Sequence, residues 1–127
     1  MIVADASAAL SALLNAGPAR RTLGSEQIHV PHLIDSEIAN GLRRKVAGGE
    51  IEAGAGWAAL DSWRHMGMVR YPIFGLLGRI WQLRDNLSVY DASYVALAEQ
   101  LGCALLTGDL RLGRAPGIHC LITVVPR

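Results

Sequence analysis

A three-layer α/β/α domain with a central parallel sheet is the fold class that this 127-residue sequence predicts. Three observations lead there. Short apolar runs alternate with longer stretches of helical period, the pattern of strands joined by helical crossovers. The runs "CALL" at 103–106 and "CLITVV" at 120–125 are almost wholly apolar, as central strands buried on both faces require. Breaker pairs such as Gly17-Pro18 and Gly48-Gly49 stand between the periodic stretches.

The elements follow in order. Residues 1–5 read as a strand. A helix is predicted over 7–16, ended by Gly17-Pro18, with a short helical turn after it. Residues 27–30 form a short strand closed by Pro31, and 33–47 a helix ended by Gly48-Gly49. A second helix is expected over 51–66, then a weak strand or extended link at 67–71. Helices follow over 73–85 and 89–101, the latter stopped by Gly102. A strand at 103–107, a helical turn from Leu110 and a strand at 118–125 complete the chain. Residues 1–127 read as a single domain with no internal repeat or linker.

Composition narrows the function. Hydrophobic residues make up 51% and charged residues 18%, which suits a globular protein rather than a disordered one. No apolar run reaches the roughly 18 residues of a membrane span. The amino-terminal run lacks a basic segment and is interrupted by Asp5, so it does not read as a secretory signal. Cys103 and Cys120 sit in apolar strand-like runs without a C-x-x-C pair, and read as buried thiols of a reducing, cytoplasmic setting.

The acids carry the chemistry. In an open parallel sheet the carboxyl ends of the strands share one edge, where ligands bind. Asp5 and Asp109 both stand just past apolar strands, over a hundred residues apart, and the fold brings them to that edge. Each acid also has a plainer reading. Asp109 precedes a helical turn it could cap, Ser88 and Asp91 have capping-box spacing, and Asp5 or Ser7 could cap the first helix. Glu37 has no obvious cap role. It lies beside the apolar stripe of Leu33, Ile34, Ile38 and Leu42, where a carboxylate needs a partner. That partner is Arg43 or Arg44 on one reading and a metal on the other. His29 and His32 bracket a strand end and make a poor zinc site. Trp57 and Trp63, six apart, point about 120° apart on a helix, so both cannot face one core. No Walker loop, G-x-S-x-G or G-x-G-x-x-G is present.

The segments "IVADAS", "SEIANGLRR", "YDASYVALAEQLG" and "LLTGDLRL" together resemble the PIN-domain ribonucleases, and in particular the VapC-type toxins of toxin–antitoxin pairs. The resemblance spans the chain, and "YDASYVALAEQLGCALLTGD" is its most specific part. It implies a catalytic, metal-binding quartet of Asp5, Glu37, Asp91 and Asp109, with Ser7, Asn40 and Thr107 as polar companions that position a carboxylate, a water or the scissile phosphate. Some PIN nucleases carry a further acid two residues after the last one, where this chain has Arg111. The implied activity is endoribonucleolytic, leaving a 5′-phosphate and a 3′-hydroxyl, on transfer or ribosomal RNA. A cognate VapB-type antitoxin and a homodimer come from the resemblance alone.

Chemistry independent of the family agrees with this. Hard oxygen ligands select Mg²⁺, with Mn²⁺ able to substitute, over zinc. Setting aside the four acids leaves seven acidic against twelve basic residues, a net-basic body suited to a polyanion. Arg43, Arg44 and Lys45 are the candidate RNA contacts, although basic residues there also complement a helix carboxyl end. The alternatives are an RNA-processing PIN nuclease without an antitoxin, or a catalytically silent RNA-binding or scaffold domain. An aspartyl phosphatase would need D-x-D-x-T after the first strand, and "DASAA" lacks it.

Overall fold

The computed structural model describes residues 1–126. Its five strands are β1 (Ile2–Ala4), β2 (Ile28–Pro31), β3 (Val69–Tyr71), β4 (Leu105–Thr107) and β5 (Ile122–Val124). They form one sheet in the order β3-β2-β1-β4-β5, with every pair parallel. The first three strands step one way from β1 and the last two step the other way. The order therefore reverses between β1 and β4, and the crevice at such a reversal is where open parallel sheets bind ligands.

Helices α1 (Ala6–Leu14), α2 (Pro18–Ser25), α3 (Ile34–Ala47) and α4 (Ala53–His65) fill the β1–β2 and β2–β3 crossovers. Helices α5 (Leu77–Gln82) and α6 (Val89–Leu101) connect β3 to β4. Right-handed crossovers put the first four helices on one face of the sheet and the last two on the other. The inter-helix packing agrees, since α1 contacts α2, α3 and α4, and α5 contacts α6. The core runs through β1, β2 and β4, each buried along its whole length. Among the described residues no helix is long and apolar enough to cross a membrane.

Helix α6 keeps the limits its sequence predicts, because both ends are chemically marked. The Ser88 hydroxyl accepts the Asp91 amide at 3.1 Å, and Gly102 takes a left-handed φ of 66° as the Cys103 amide reaches back to Ala98. Residues 92–98 are all buried, so α6 is enclosed on every side rather than amphipathic.

Elsewhere the structure corrects the sequence reading. The run 118–125 yields only a three-residue strand, and β5 lies at the sheet edge with Val124 exposed. An apolar run alone does not distinguish a central strand from an edge strand. The helix predicted over 73–85 is a 3₁₀ turn at Phe74–Leu76 followed by the six-residue α5. Asp85 and Asn86 favour turns over helix, and the Asn86 side chain bonds the Pro116 carbonyl instead. The turn predicted after residue 17 is the full helix α2, started by Pro18 at its first position. Cys103 and Cys120 are free and half-buried, each just ahead of its strand. Trp63 is in the core, 2% exposed, while Trp57 is 57% exposed. His29 is buried but bonded to Tyr71 and Gln27, a structural histidine.

One polar staple fixes edge strand β3. Asp35 of α3 takes both Arg70 Nε at 2.8 Å and Nη2 at 2.9 Å, and also the buried indole N–H of Trp63 at 2.7 Å. Arg70 holds the Asp35 carboxyl below its usual range. Asp35→Ala orphans the indole N–H and unpairs Arg70, so urea unfolding at pH 7 is expected to show a loss of about 1–3 kcal/mol. Because the folded-state pKa is depressed, this contribution is present above the ordinary carboxyl range and fades as pH falls through the folded value. Wild type and variant should therefore converge in stability below about pH 4.

Candidate active site

Asp5 follows β1 directly and is only 5% exposed. Its Oδ1 accepts the Ala8 amide at 2.9 Å, so it caps α1, and also accepts the Ser7 hydroxyl at 2.6 Å. Its Oδ2 accepts the hydroxyl of Thr107, the last residue of β4. Thr107 Oγ1 in turn accepts the Asp109 amide at 3.0 Å, and Ser7 Oγ accepts the Gly108 amide at 2.8 Å. Two hydroxyls thus tie the ends of β1 and β4 together across the reversal of the sheet. The cap reading of Asp5 is correct, and the same carboxylate faces the crevice.

Asp109 Oδ1 accepts the Arg111 amide at 2.9 Å, a local turn, and the Arg111 guanidinium lies 3.2 Å from Oδ2. Arg111 balances part of the charge here. Asp91 lies in the first turn of α6, where the helix dipole favours an anion. Burial raises its pKa, the charges of Asp5 and Asp109 raise it further, and the Ser88 hydroxyl and Arg111 act the other way. Glu37, in the first turn of α3, is also pushed up, first by burial and then by Asp91 and Asp5, against a hydrogen bond from Tyr94. The four acids, from four segments of the chain, therefore share one electrostatic neighbourhood.

The partner of Glu37 is neither arginine that the sequence suggested. Tyr94 Oη donates to Glu37 Oε1, from a side chain 1% exposed. Arg43 instead donates to Asn40 Oδ1, by Nε at 3.2 Å and Nη2 at 2.9 Å. Burial pushes the Tyr94 hydroxyl far above its ordinary pKa, so it stays a donor. Sequence reasoning assigned Tyr94 no role. The signal was a phenol three residues after Asp91, set in the run 92–98 whose other side chains are small or aliphatic.

A cleft of about 390 Å³ adjoins the acids between α1 and α3, with Ser7, Leu10, Glu37, Asn40, Arg44 and Lys45 among its lining residues. Gly41 permits the close approach, since a Cβ there would stand 2.6 Å from Leu10 Cδ1. Of the three candidate RNA contacts, Arg44 and Lys45 line this cleft, and Lys45 is paired with Glu50 at 3.1 Å. Arg43 lies on another face, beside an apolar groove of about 440 Å³ formed with Leu42, Val46, Trp57 and Leu60.

The donor set suits a hard divalent cation, being four carboxylates with no cysteine or histidine among them. As the side chains stand, no three His, Cys, Asp or Glu residues among those described are spaced to hold an ion. Glu37 and Asp91 are raised first by burial and then by the neighbouring carboxylates, and a cation would relieve the second of these.

Comparison with known proteins identifies the family. The PIN domain family profile matches residues 2–118. The chain is 59% identical to VapC ribonuclease Mb0985 of Mycobacterium bovis and to ribonuclease VapC9 of Mycobacterium tuberculosis, each over all 127 residues and the full length of both proteins. In structure it is similar to VapBC2 from Rickettsia felis, solved bound to a DNA fragment from their promoter, with a TM-score of 0.71 over 98% of both chains. Identity there is 12%, so that likeness is one of fold. A profile match over nearly the whole chain and end-to-end relatives of this identity establish that the chain belongs to the PIN domain family, among its VapC-type members.

Proposed function

We propose that this protein is a Mg²⁺-dependent endoribonuclease toxin of the cytoplasm, neutralised by a VapB-type antitoxin. The observation that carries the reading is the convergence of Asp5, Glu37, Asp91 and Asp109 on the crevice where the sheet order reverses, with Glu37 and Asp91 raised first by burial and then by the charges of neighbouring acids. The four carboxylates are the residues that would hold Mg²⁺ or Mn²⁺. Such a cation, when bound, activates and orients water and neutralises charge on the phosphoryl group. Ser7 and Thr107 fix Asp5 by hydrogen bonds to its two oxygens, so it does not turn away when repelled. Arg44, in the same cleft as Glu37, would bind a phosphate of the RNA. Arg111, held by Asp109, is a second cation within reach of the backbone. Products with a 5′-phosphate and a 3′-hydroxyl, from transfer or ribosomal RNA, follow the VapC pattern.

The apolar groove between α3 and α4 is the seat we assign to the antitoxin. It is lined by Leu42, Val46, Trp57 and Leu60, suiting the apolar face of a partner helix. The exposed stripe of Phe74, Leu77 and Trp81, spaced for one face of a helix, is the corresponding candidate for a homodimer contact.

The primary test combines metal, mutation and melting. Cleavage of cellular RNA is expected to stop in EDTA and return with Mg²⁺ or Mn²⁺. Asp91→Asn should abolish it while the domain remains folded by circular dichroism. Because burial, and then the neighbouring carboxylates, raise the folded-state pKa of Asp91 and Glu37, the metal-free wild type should lose stability as pH rises through those raised values. At pH 8 in chelator, Asp91→Asn should then melt at least as high as wild type, and saturating Mg²⁺ should reverse the order by stabilising wild type more. Equal melting of the two proteins under both conditions would leave Asp91 as a helix residue with no part in metal binding.

Two further outcomes probe the surfaces. Arg44→Ala should weaken RNA binding across sequences and reduce the salt dependence by about one unit of log K per log salt. In fluorescence anisotropy, an unchanged slope would confine Arg44 to the helix end. Trp57→Ala should weaken antitoxin binding by about 2 kcal/mol or more, as for a buried aromatic anchor, and leave RNA cleavage by the free toxin unaltered. Calorimetry showing wild-type affinity would move the antitoxin seat elsewhere.

A further inference from the structure

Three aromatic hydroxyls and their surroundings raise the question of why position 94 carries a tyrosine. Tyr90 is exposed, and Tyr71, on edge strand β3, meets His29. Tyr94 is different. Its side chain is buried among the core residues of α6, where phenylalanine would pack as well and would carry no polar atom needing a partner. A buried hydroxyl without a partner destabilises the fold. Here the hydroxyl crosses from α6 to α3 and ends on a single acceptor, Oε1 of Glu37.

The placement has mechanical consequences. Helix α6 carries Asp91 in its first turn and Tyr94 one turn later. It is capped at both ends and buried along its middle, so the two side chains move as one body. Asp91 belongs to the acid cluster itself, and Tyr94 grips the member contributed by α3. The helix therefore sets the relation between two carboxylates from different layers of the fold. Glu37 has three side-chain torsions and lines an open cleft. Repelled by Asp91 and Asp5, it would otherwise swing toward solvent.

We propose that Tyr94 is a positioning residue for a divalent cation: its phenol holds Oε1 of Glu37, restrains that carboxylate in the acid cluster, and leaves Oε2 as the oxygen offered to the ion. This rests on the reading of Glu37 as a ligand. It gives Glu37 a monodentate role, since a carboxylate with one oxygen engaged by a phenol is poorly disposed to chelate. Tyr94 itself touches neither metal nor substrate.

The test uses the full chain and needs no RNA. Mn²⁺ binding is followed by the electron paramagnetic resonance of free Mn²⁺ for wild type, Tyr94→Phe, Glu37→Gln and the double variant. Loss of an outer hydrogen-bond partner typically lowers metal affinity by about 10- to 100-fold. A weakening in that range is expected for Tyr94→Phe, with its melting temperature in chelator close to wild type. The double variant should bind no more weakly than Glu37→Gln alone, because Tyr94 acts only through Glu37. In RNA cleavage, the Mn²⁺ concentration for half-maximal rate should rise in parallel, while the rate at saturating Mn²⁺ returns most of the way to wild type.

The failures separate cleanly. Wild-type affinity in Tyr94→Phe with weakened affinity in Glu37→Gln would overturn the positioning role and leave Glu37 a ligand. Wild-type affinity in both would remove Glu37 from the metal site, and the inference with it. A further loss on adding Tyr94→Phe to Glu37→Gln would mean that Tyr94 acts by another route. Should Tyr94→Phe unfold, p-fluorophenylalanine at position 94 keeps a para substituent and cannot donate, and the same outcomes apply to it.

Discussion

The carboxylate of Asp5 is the joint on which the rest of the architecture turns. It terminates β1, begins α1 and reaches across to β4, all from one side chain that is nearly inaccessible to water. Burying a carboxylate is costly unless its oxygens are satisfied, and three donors satisfy this one: an amide, a serine and a threonine. All three donors converge on the one carboxyl group, which is thereby fixed beneath the surface. The remaining acids assemble around that fixed group. This explains why the strand ends call for Ser7 and Thr107 as well as acids, since a carboxylate alone would not lock the ends of β1 and β4 together.

Around that anchor the structure balances repulsion against restraint. Asp109 is partly neutralised by Arg111, Asp91 is favoured by the amino end of α6, and Glu37 is held by Tyr94. Each compensation is local and weaker than a full counter-charge, so Glu37 and Asp91 keep raised affinities for protons. A site in which every carboxylate had its own buried arginine would be more stable without metal and would gain less from binding one. The pattern seen, with strong fixation of one acid and partial compensation of the others, leaves a free-energy gradient toward a cation.

How far this was legible in the sequence depended on whether the deciding physics was local. Helix α6 could be delimited because Ser88 and Gly102 mark its ends, whatever packs around it. The convergence of Asp5 and Asp109 followed from the parallel topology alone. Glu37 stood out because no cap role explained a carboxylate beside an apolar stripe, and Asp91 joined the set with the family resemblance. What escaped was set by contacts between distant segments. "CLITVV" has the composition of a central strand, but its place at the edge of the sheet depends on there being no further strand to cover it. The helix over 73–85 breaks into a 3₁₀ turn and the short α5, and past its end the Asn86 side chain bonds a carbonyl thirty residues away. Tyr94 stood inside the most telling motif and still went unassigned, since a buried phenol announces only that it needs an acceptor, not which one.

Helix α3 shows why a basic run should not be read as a patch. Arg43, Arg44 and Lys45 are adjacent in sequence, but at 3.6 residues per turn successive side chains diverge by about 100°. Ile34, Ile38 and Leu42 take the face toward the core. Glu37, Asn40 and Arg44 follow one another at spacings of three and four on the face that lines the acidic cleft. Ala39, Arg43 and Val46 follow at similar spacings on the face that lines the apolar groove. One helix thus presents three surfaces, and of its two arginines Arg44 shares the face of Glu37. Arg43 lies on the groove side, with Asn40 holding its guanidinium. Lys45 is drawn to Glu50 beyond the helix end. The division follows from helical geometry, and it puts the cleft and the groove on opposite flanks of the same rigid rod, so that a protein seated in the groove need not enter the cleft to lie beside it.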